Sequence, residues 1–151
     1  MKKKIILLLM VIGLASQVNG QETSEDKSII SEVPYFPGCD DLQTKYQKKP
    51  NPKRKMKLEN CRNMEMLKFI YLNVQYPKTA RSKGIEGDVF LRFVISKKGD
   101  ISDVEVIKGV TTELNKEAVR VINLMPFFIP AKDKNGNPVE SIMNMPIKFR
   151  L

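Results

Sequence analysis

The chain has 151 residues and a formal net charge of +9, with two cysteines and no histidine. This length fits a single domain. The sequence has no histidine, no phosphate-binding glycine loop and no paired acids on a predicted cleft, so we expect neither an enzyme nor a bound metal or cofactor.

Residues 1–20 have the layout of a secretory signal peptide. Three lysines precede an apolar run over residues 5–15, and small residues before Gln21 fit a cleavage site there. As a helix the run would extend about 16 Å, against roughly 30 Å of membrane hydrocarbon, so it is a poor permanent anchor. We expect export of the chain, with inner-membrane association only if the signal is retained.

Residues 21–61 are predicted to form a flexible N-terminal extension. Residues 22–41 contain six acids and one lysine, whereas residues 45–57 contain six lysines and Arg54 and no acid. A charge run of this kind usually indicates a solvated, flexible segment, and contact with an anionic membrane surface is the alternative. Nucleic acid is not expected as a partner, because an exported chain rarely meets it.

The two cysteines, Cys39 and Cys61, bracket this basic run. An even number of cysteines in an exported chain favours a disulfide, and two unpaired thiols are the alternative. Closing a loop of this size stabilises the folded state by roughly 3 kcal/mol if the bridge is unstrained.

Two helices are predicted to follow. Apolar residues at helical spacing predict a helix of about ten residues beginning near Cys61. Pro77 fits the first turn of a second, very short helix, in which Ala80 packs closely and Gly84 supplies a left-handed C-cap. The apolar positions of the first helix are Met64, Leu67, Ile70, Tyr71 and Val74.

The period then changes to that of β-strands. Residues 87–96 and 101–108 alternate apolar and polar residues around a turn with Gly99, which predicts an antiparallel hairpin. A long helix capped by Thr111 or Thr112 ends before Pro126, and residues 139–149 form a last strand. The predicted fold class is α+β: two N-terminal helices, the second very short, an antiparallel hairpin, and one long helix packed on a three-stranded sheet.

The order of these motifs resembles the C-terminal domain of TonB proteins, over residues 64–151. Each motif is weak alone, but their order and spacing together are specific, and we place the domain at residues 62–151. Phe128 stands where the family usually has tryptophan, which keeps an aromatic side chain there. The motifs are Gln75-Tyr76-Pro77, Ala80, Gly84-Ile85-Glu86-Gly87, the Gly99 hairpin, the helix before Pro126, Phe128-x-Pro130 and Pro146-Ile147-x-Phe149.

The resemblance implies a periplasmic module that binds the TonB-box peptides of outer-membrane TonB-dependent receptors by β-strand addition, as part of energy-coupled transport. This chain lacks the transmembrane histidine and the long proline-rich spacer of full-length members. Inner-membrane proton-driven motor proteins would therefore act through another subunit. An envelope-associated structural or protein-interaction module that keeps the fold without transducing energy is the alternative, and a homodimer is left open.

Two sets of residues are the candidate partner-binding site. In the family, the region that corresponds to Gln75-Tyr76-Pro77 lies against the receptor plug, and the last strand pairs with the TonB box. Pro146 cannot donate a ladder hydrogen bond, so the last strand fits a sheet edge. Residues before Pro146 offer unpaired backbone groups, although proline and Lys148 can also guard an edge. The alternative for Tyr76 is a staple that holds the short helix on the core. The candidates are Gln75, Tyr76, Pro77, Glu140, Ser141, Ile142, Met143, Asn144 and Met145.

Overall fold

The computed structural model describes residues 30–151. The predicted signal peptide and the start of the acidic segment lie outside these residues. The fold is α+β, as predicted. Its elements in chain order are β1 (Ile30–Glu32), α1 (Asp40–Lys48), α2 (Pro52–Asn73), α3 (Lys78–Ser82), β2 (Gly87–Ile95), β3 (Ile101–Lys108), α4 (Thr112–Asn123), β4 (Ala131–Asp133), β5 (Pro138–Val139) and β6 (Ser141–Phe149).

The main sheet is antiparallel and has the strand order β3-β2-β6. Its central strand, β2, alternates fully buried apolar residues with more exposed ones, which is the pattern of a sheet covered on one face. Helix α4 covers that face, and Thr111 caps its N-terminus by accepting a hydrogen bond from the Leu114 N–H. Its buried stripe consists of Leu114, Ala118, Val121 and Ile122.

A second, smaller sheet was not predicted. It has the order β1-β4-β5, and an isolated bridge between Tyr35 and Ile129 continues the pairing of β1 with β4. Just beyond the bridge, Phe36 is buried, with its ring 5.6 Å from that of Phe128 and 5.8 Å from that of Phe69. Part of the predicted extension therefore belongs to the core, and local sequence patterns could not show this because the partners of Phe36 are distant in the chain.

The basic segment at residues 45–57 is largely helical, so the expectation of a loose segment is wrong for its secondary structure. Helix α2 begins at Pro52, well before the predicted start near Cys61. Asn51 is its N-cap and accepts a hydrogen bond of 2.8 Å from the Arg54 N–H. Asparagine before a proline in the first turn is a helix-start signal, although these residues were predicted to belong to the flexible extension.

The predicted disulfide between Cys39 and Cys61 is present, with a Cα–Cα distance of 6.3 Å. It joins the residue before α1 to the middle of α2. Close by, the Arg62 guanidinium lies 3.3 Å from the centre of the Tyr35 ring, a cation–π contact. These contacts attach the segment from Tyr35 to Cys39 to α2. Within residues 30–151, no helix is both long and apolar enough to cross a bilayer.

Candidate functional site

Strand β6 has one side paired and one side open. It pairs with β2 through nine consecutive residue pairs, from Phe149 opposite Gly87 to Ser141 opposite Ile95, with no break in register. In the described part of the chain it is the last strand of its sheet, so its outer backbone groups have no neighbouring strand. At about 3.3 Å per residue, this straight edge runs for about 27 Å.

The side chains of the predicted docking segment divide between the two faces of the sheet. Ser141 and Met145 are buried and Met143 is partly buried, so these residues hold the strand on the core. Glu140 lies just before β6 and is exposed. Its side chain, together with those of Ile142 and Asn144, is the part of the segment that a partner can reach.

The entrance to α3 is held by a carboxylate of α4. The Gln75 N–H donates to Glu117 Oε1 at 2.6 Å, while the Gln75 side chain is exposed. The Arg120 guanidinium donates to the same carboxylate at 2.7 Å and to the Asn73 carbonyl at 2.7 Å. Burial alone raises the pKa of Glu117, but the hydrogen bonds from Arg120 and Gln75 outweigh it and the pKa is lowered. The carboxylate is therefore ionised at neutral pH.

Tyr76 has the contacts of a staple. Its hydroxyl donates to the Ile85 carbonyl, and its ring meets the Phe149 ring edge-on, with 5.8 Å between the ring centres. Pro77 is the N-cap residue of α3, and Gly84 after the helix has φ +62°, the left-handed value predicted for it. A structural role for Tyr76 thus has direct support, while its role in binding stays a prediction.

The two candidate sets lie at different ends of β6. Tyr76 contacts Phe149, the last residue of the strand, whereas residues 140–145 lead into and form the first half of the strand. The structure therefore does not gather all nine candidates into one pocket. Residues 141–145 lie along the edge and Tyr76 contacts its far end, which suits an extended partner better than a compact ligand.

A shallow groove next to this edge was missed by the sequence analysis. It lies on the sheet face opposite α4, has a volume of about 510 Å³, and is lined in part by Phe90, Ile107, Asn144 and Pro146. Phe90 and Ile107 are 39% and 49% exposed. The sequence signal was the alternation of side chains along β2. Phe90 is a large apolar residue at a position where the alternation calls for a polar one.

The described residues contain no group of three or more His, Cys, Asp or Glu side chains that is placed to hold a metal ion. The features that the structure does present are a backbone edge, a partly apolar groove beside it, and a braced turn at its far end. This arrangement is suited to holding a peptide.

Comparison with known proteins identifies the family. The model of the family described as Gram-negative bacterial TonB protein C-terminal matches residues 73–151, which is just over half of the chain. The chain therefore belongs to this family, and the resemblance read from its motifs is confirmed.

The curated relatives are much longer than the matched region. The TonB protein of Helicobacter pylori strain J99 is 33% identical over 78 residues, which are 51% of this chain and 26% of that protein. The TonB protein of strain 26695 is 34% identical over 79 residues, with the same coverage. The match thus spans about a quarter of the length of either relative.

Solved structures of TonB C-terminal domains are also similar. A solution structure from Helicobacter pylori has a TM-score of 0.46 and 26% identity, and covers 76% of this chain and 95% of that one. A solution structure from Pseudomonas aeruginosa has a TM-score of 0.42 and 26% identity, and covers 51% and 77%.

Proposed function

We propose that this protein is a periplasmic TonB-type module that binds the TonB-box peptides of outer-membrane TonB-dependent receptors by adding them as a strand to β6. The observation that supports this most directly is the unbroken, open edge of β6 in a member of the TonB C-terminal family. Receptor binding would contribute to energy-coupled transport. The protein itself would be non-catalytic and need no cofactor.

Pro146 indicates which residues would bind the peptide. A proline leaves the ladder to β2 intact when its nitrogen faces the open edge. Backbone N–H and C=O groups of one residue in an antiparallel strand point to the same side, and the side alternates along the strand. Residues 142 and 144 would then face outward with Pro146. Peptide pairing would run along Ile142 and Asn144 and would end at Pro146.

The expected affinity is low. About four backbone hydrogen bonds at roughly 1 kcal/mol each, reduced by the cost of ordering the peptide, give a dissociation constant in the micromolar range or weaker. Contacts in the groove beside Phe90 and Pro146 would add affinity if the peptide carries an apolar side chain there. A weak complex suits a contact that is made and released repeatedly.

The remaining parts of the proposal concern location and partners. We propose that the chain is exported, and that inner-membrane proton-driven motor proteins act on it through another subunit. The second candidate function is an envelope-associated structural or interaction module that keeps the fold without transducing energy. The observation that favours it is the folded unit of α1 and α2, most of which lies outside the residues matched by the family.

An N-methyl scan of a TonB-box peptide tests the docking mode, because each methyl group deletes one backbone donor. Loss of affinity at alternate peptide positions is the result expected for strand addition, and indifference at every position would overturn it. A scrambled peptide of the same composition is the control.

The matching variant of the protein is Asn144→Pro. If residue 144 faces the open edge, this variant keeps its fold and its affinity for the peptide falls about five- to thirtyfold, as expected when one or two backbone bonds of roughly 1 kcal/mol each are lost. Met143→Pro is the matched control, because its nitrogen would face β2 and the change would break the ladder. A folded Met143→Pro variant together with an unfolded Asn144→Pro variant would show that the backbone nitrogen of residue 143, and not that of residue 144, faces the open edge.

A further inference from the structure

Helix α2 is apolar on two opposite sides. On one side Leu58 is buried, and Phe69 and Ile70 pack against the main core. The other side carries large apolar side chains that are well exposed. They are Met56 at 56%, Met64 at 63%, Leu67 at 55% and Tyr71 at 81%.

At 100° per residue, these four side chains fall within an arc of about 80° on the outer side of the helix. Three lysines, Lys53, Lys57 and Lys68, fall within or beside the same arc and widen it to about 120°, and the exposed Asn60 also lies within it. We call this set of four apolar residues and three lysines the outer face of α2.

The outer face contains no acid. The two acids of α2, Glu59 and Glu65, both project outside the arc. Glu59 lies 3.9 Å from Lys55, and Glu65 is partly buried beside Gly38. The outer face is therefore uniformly positive as well as apolar, and its lysines have no carboxylate partner on the same face.

Scattered exposed apolar residues are ordinary, but an apolar stripe along four turns of one helix is a surface that water solvates poorly. A face that combines apolar side chains with lysines and ends in an aromatic residue suits contact with an anionic membrane interface. Lysine stems can extend over the apolar side chains while their ammonium groups reach the lipid phosphates. A symmetric second copy fits less well, because it would bring two uniformly positive faces together.

We propose that the outer face of α2 docks on an anionic phospholipid surface. The four apolar side chains enter the boundary between headgroups and acyl chains, and the three lysines bind lipid phosphates. The proposal does not depend on receptor binding at β6, because it uses a different element of the fold. It assigns the folded α1–α2 unit a function that is separate from peptide binding.

Vesicle co-sedimentation of the exported protein, with its N-terminus verified by intact mass, is the first test. Vesicles of phosphatidylcholine alone are compared with vesicles that also contain phosphatidylglycerol, at low and high salt. The protein should bind only the anionic vesicles, and salt should weaken the binding. Equal binding to both kinds of vesicle would overturn the proposal.

The triple variant Lys53→Gln, Lys57→Gln, Lys68→Gln should lose about a hundredfold or more in partitioning, since each lysine near an anionic surface contributes about a factor of five. The matched control is Lys97→Gln, Lys98→Gln, Lys134→Gln, which removes the same charge from two exposed turns. The control should keep most of the binding. Equal losses in the two variants would mean that net charge alone is responsible, and the outer face would have no special role.

Tryptophan fluorescence can locate the contact. The chain contains no tryptophan, so a single introduced tryptophan reports on its own position. Tyr71→Trp should give an emission maximum that shifts to the blue on anionic vesicles, whereas Phe90→Trp, on the uncovered face of the sheet, should not shift. The molar mass in solution is measured for the wild type and for Tyr71→Ser. A dimer that Tyr71→Ser converts to a monomer would show that the stripe is an interface between two copies, and would overturn membrane docking.

Discussion

The two edges of the main sheet differ in regularity. On β6 the nine pairs with β2 follow one another without a break. On β3 the register with β2 shifts twice, between Phe90 and Leu91 and between Arg92 and Val94, and Asp103 has φ +51°. Bulges increase the local twist and interrupt the row of backbone groups that another strand needs. The domain thus has one edge that discourages an added strand and one that permits it.

If β6 binds a strand as proposed, this difference explains how a small sheet can do so at one edge without aggregating through the other. An unprotected edge is a hazard for any soluble domain. Among residues 30–151, the protection visible on β6 is local, in Pro146 and Lys148, and it lies in the half of the strand that Tyr76 and Phe149 brace. The first half of β6 remains open. Four predictions test this comparison.

Gly99→Ala should have the largest effect, because it breaks the hairpin that carries β3. Gly99 has φ +92°, and a Cβ there would lie 2.0 Å from the Phe128 carbonyl oxygen. We expect a loss of about 3–4 kcal/mol in the free energy of unfolding, measured by chemical denaturation.

Gly136→Ala is the matched control, since Gly136 has φ +82° but open space around it. It should cost only about 1 kcal/mol, the backbone term alone. Equal losses of stability in the two variants would show that the close approach of Gly99 to the Phe128 carbonyl does not stabilise the hairpin.

Tyr76→Ala tests the braced end of β6. It removes the hydrogen bond to Ile85 and the edge-on contact with Phe149, so we expect a loss of about 2–3 kcal/mol in stability. Gln75→Ala should leave the melting temperature nearly unchanged and weaken peptide binding. An unchanged affinity for Gln75→Ala would make this region purely structural.

Lowering the pH should loosen the same end of the sheet through Glu117. Its pKa in the folded protein lies below 4.5, its ordinary value, so its stabilising effect is complete above about pH 4.5 and is lost as the pH falls through the lower folded pKa. The effect should be about 1 kcal/mol, because the partner Arg120 is partly solvated. Glu117→Gln should be less stable than the wild type at neutral pH, and the gap should close in acid. A gap that persists at low pH would contradict this.

Asp103→Gly should have the smallest effect and sharpens the comparison on β3. Glycine adopts φ +51° without steric cost, and we expect a gain of about 0.5 kcal/mol or less, since glycine also loses more entropy on folding. Peptide binding should not change, because the proposed docking edge is β6 and not β3. Altered affinity for a TonB-box peptide would mean that both edges take part.

Several parts of this protein follow from local sequence alone. The alternation over β2 and the Gly99 turn specify the hairpin, and the stripe of α4 specifies the helix that covers it. Pro77 and Gly84 delimit α3 because each has a backbone preference that few other residues share. Pro146 indicated an edge strand, and β6 is one.

The tertiary structure decided what depends on contacts between distant segments. The pairing of β1 with β4, the burial of Phe36 beside Phe128 and the groove at Phe90 each join residues that are far apart in the chain. Helix α2 is an intermediate case. Its start at Asn51 was readable from capping residues, but its two apolar sides obscure the single stripe that sequence periodicity detects. Only the packed structure shows which of the two sides faces the core and which is left exposed.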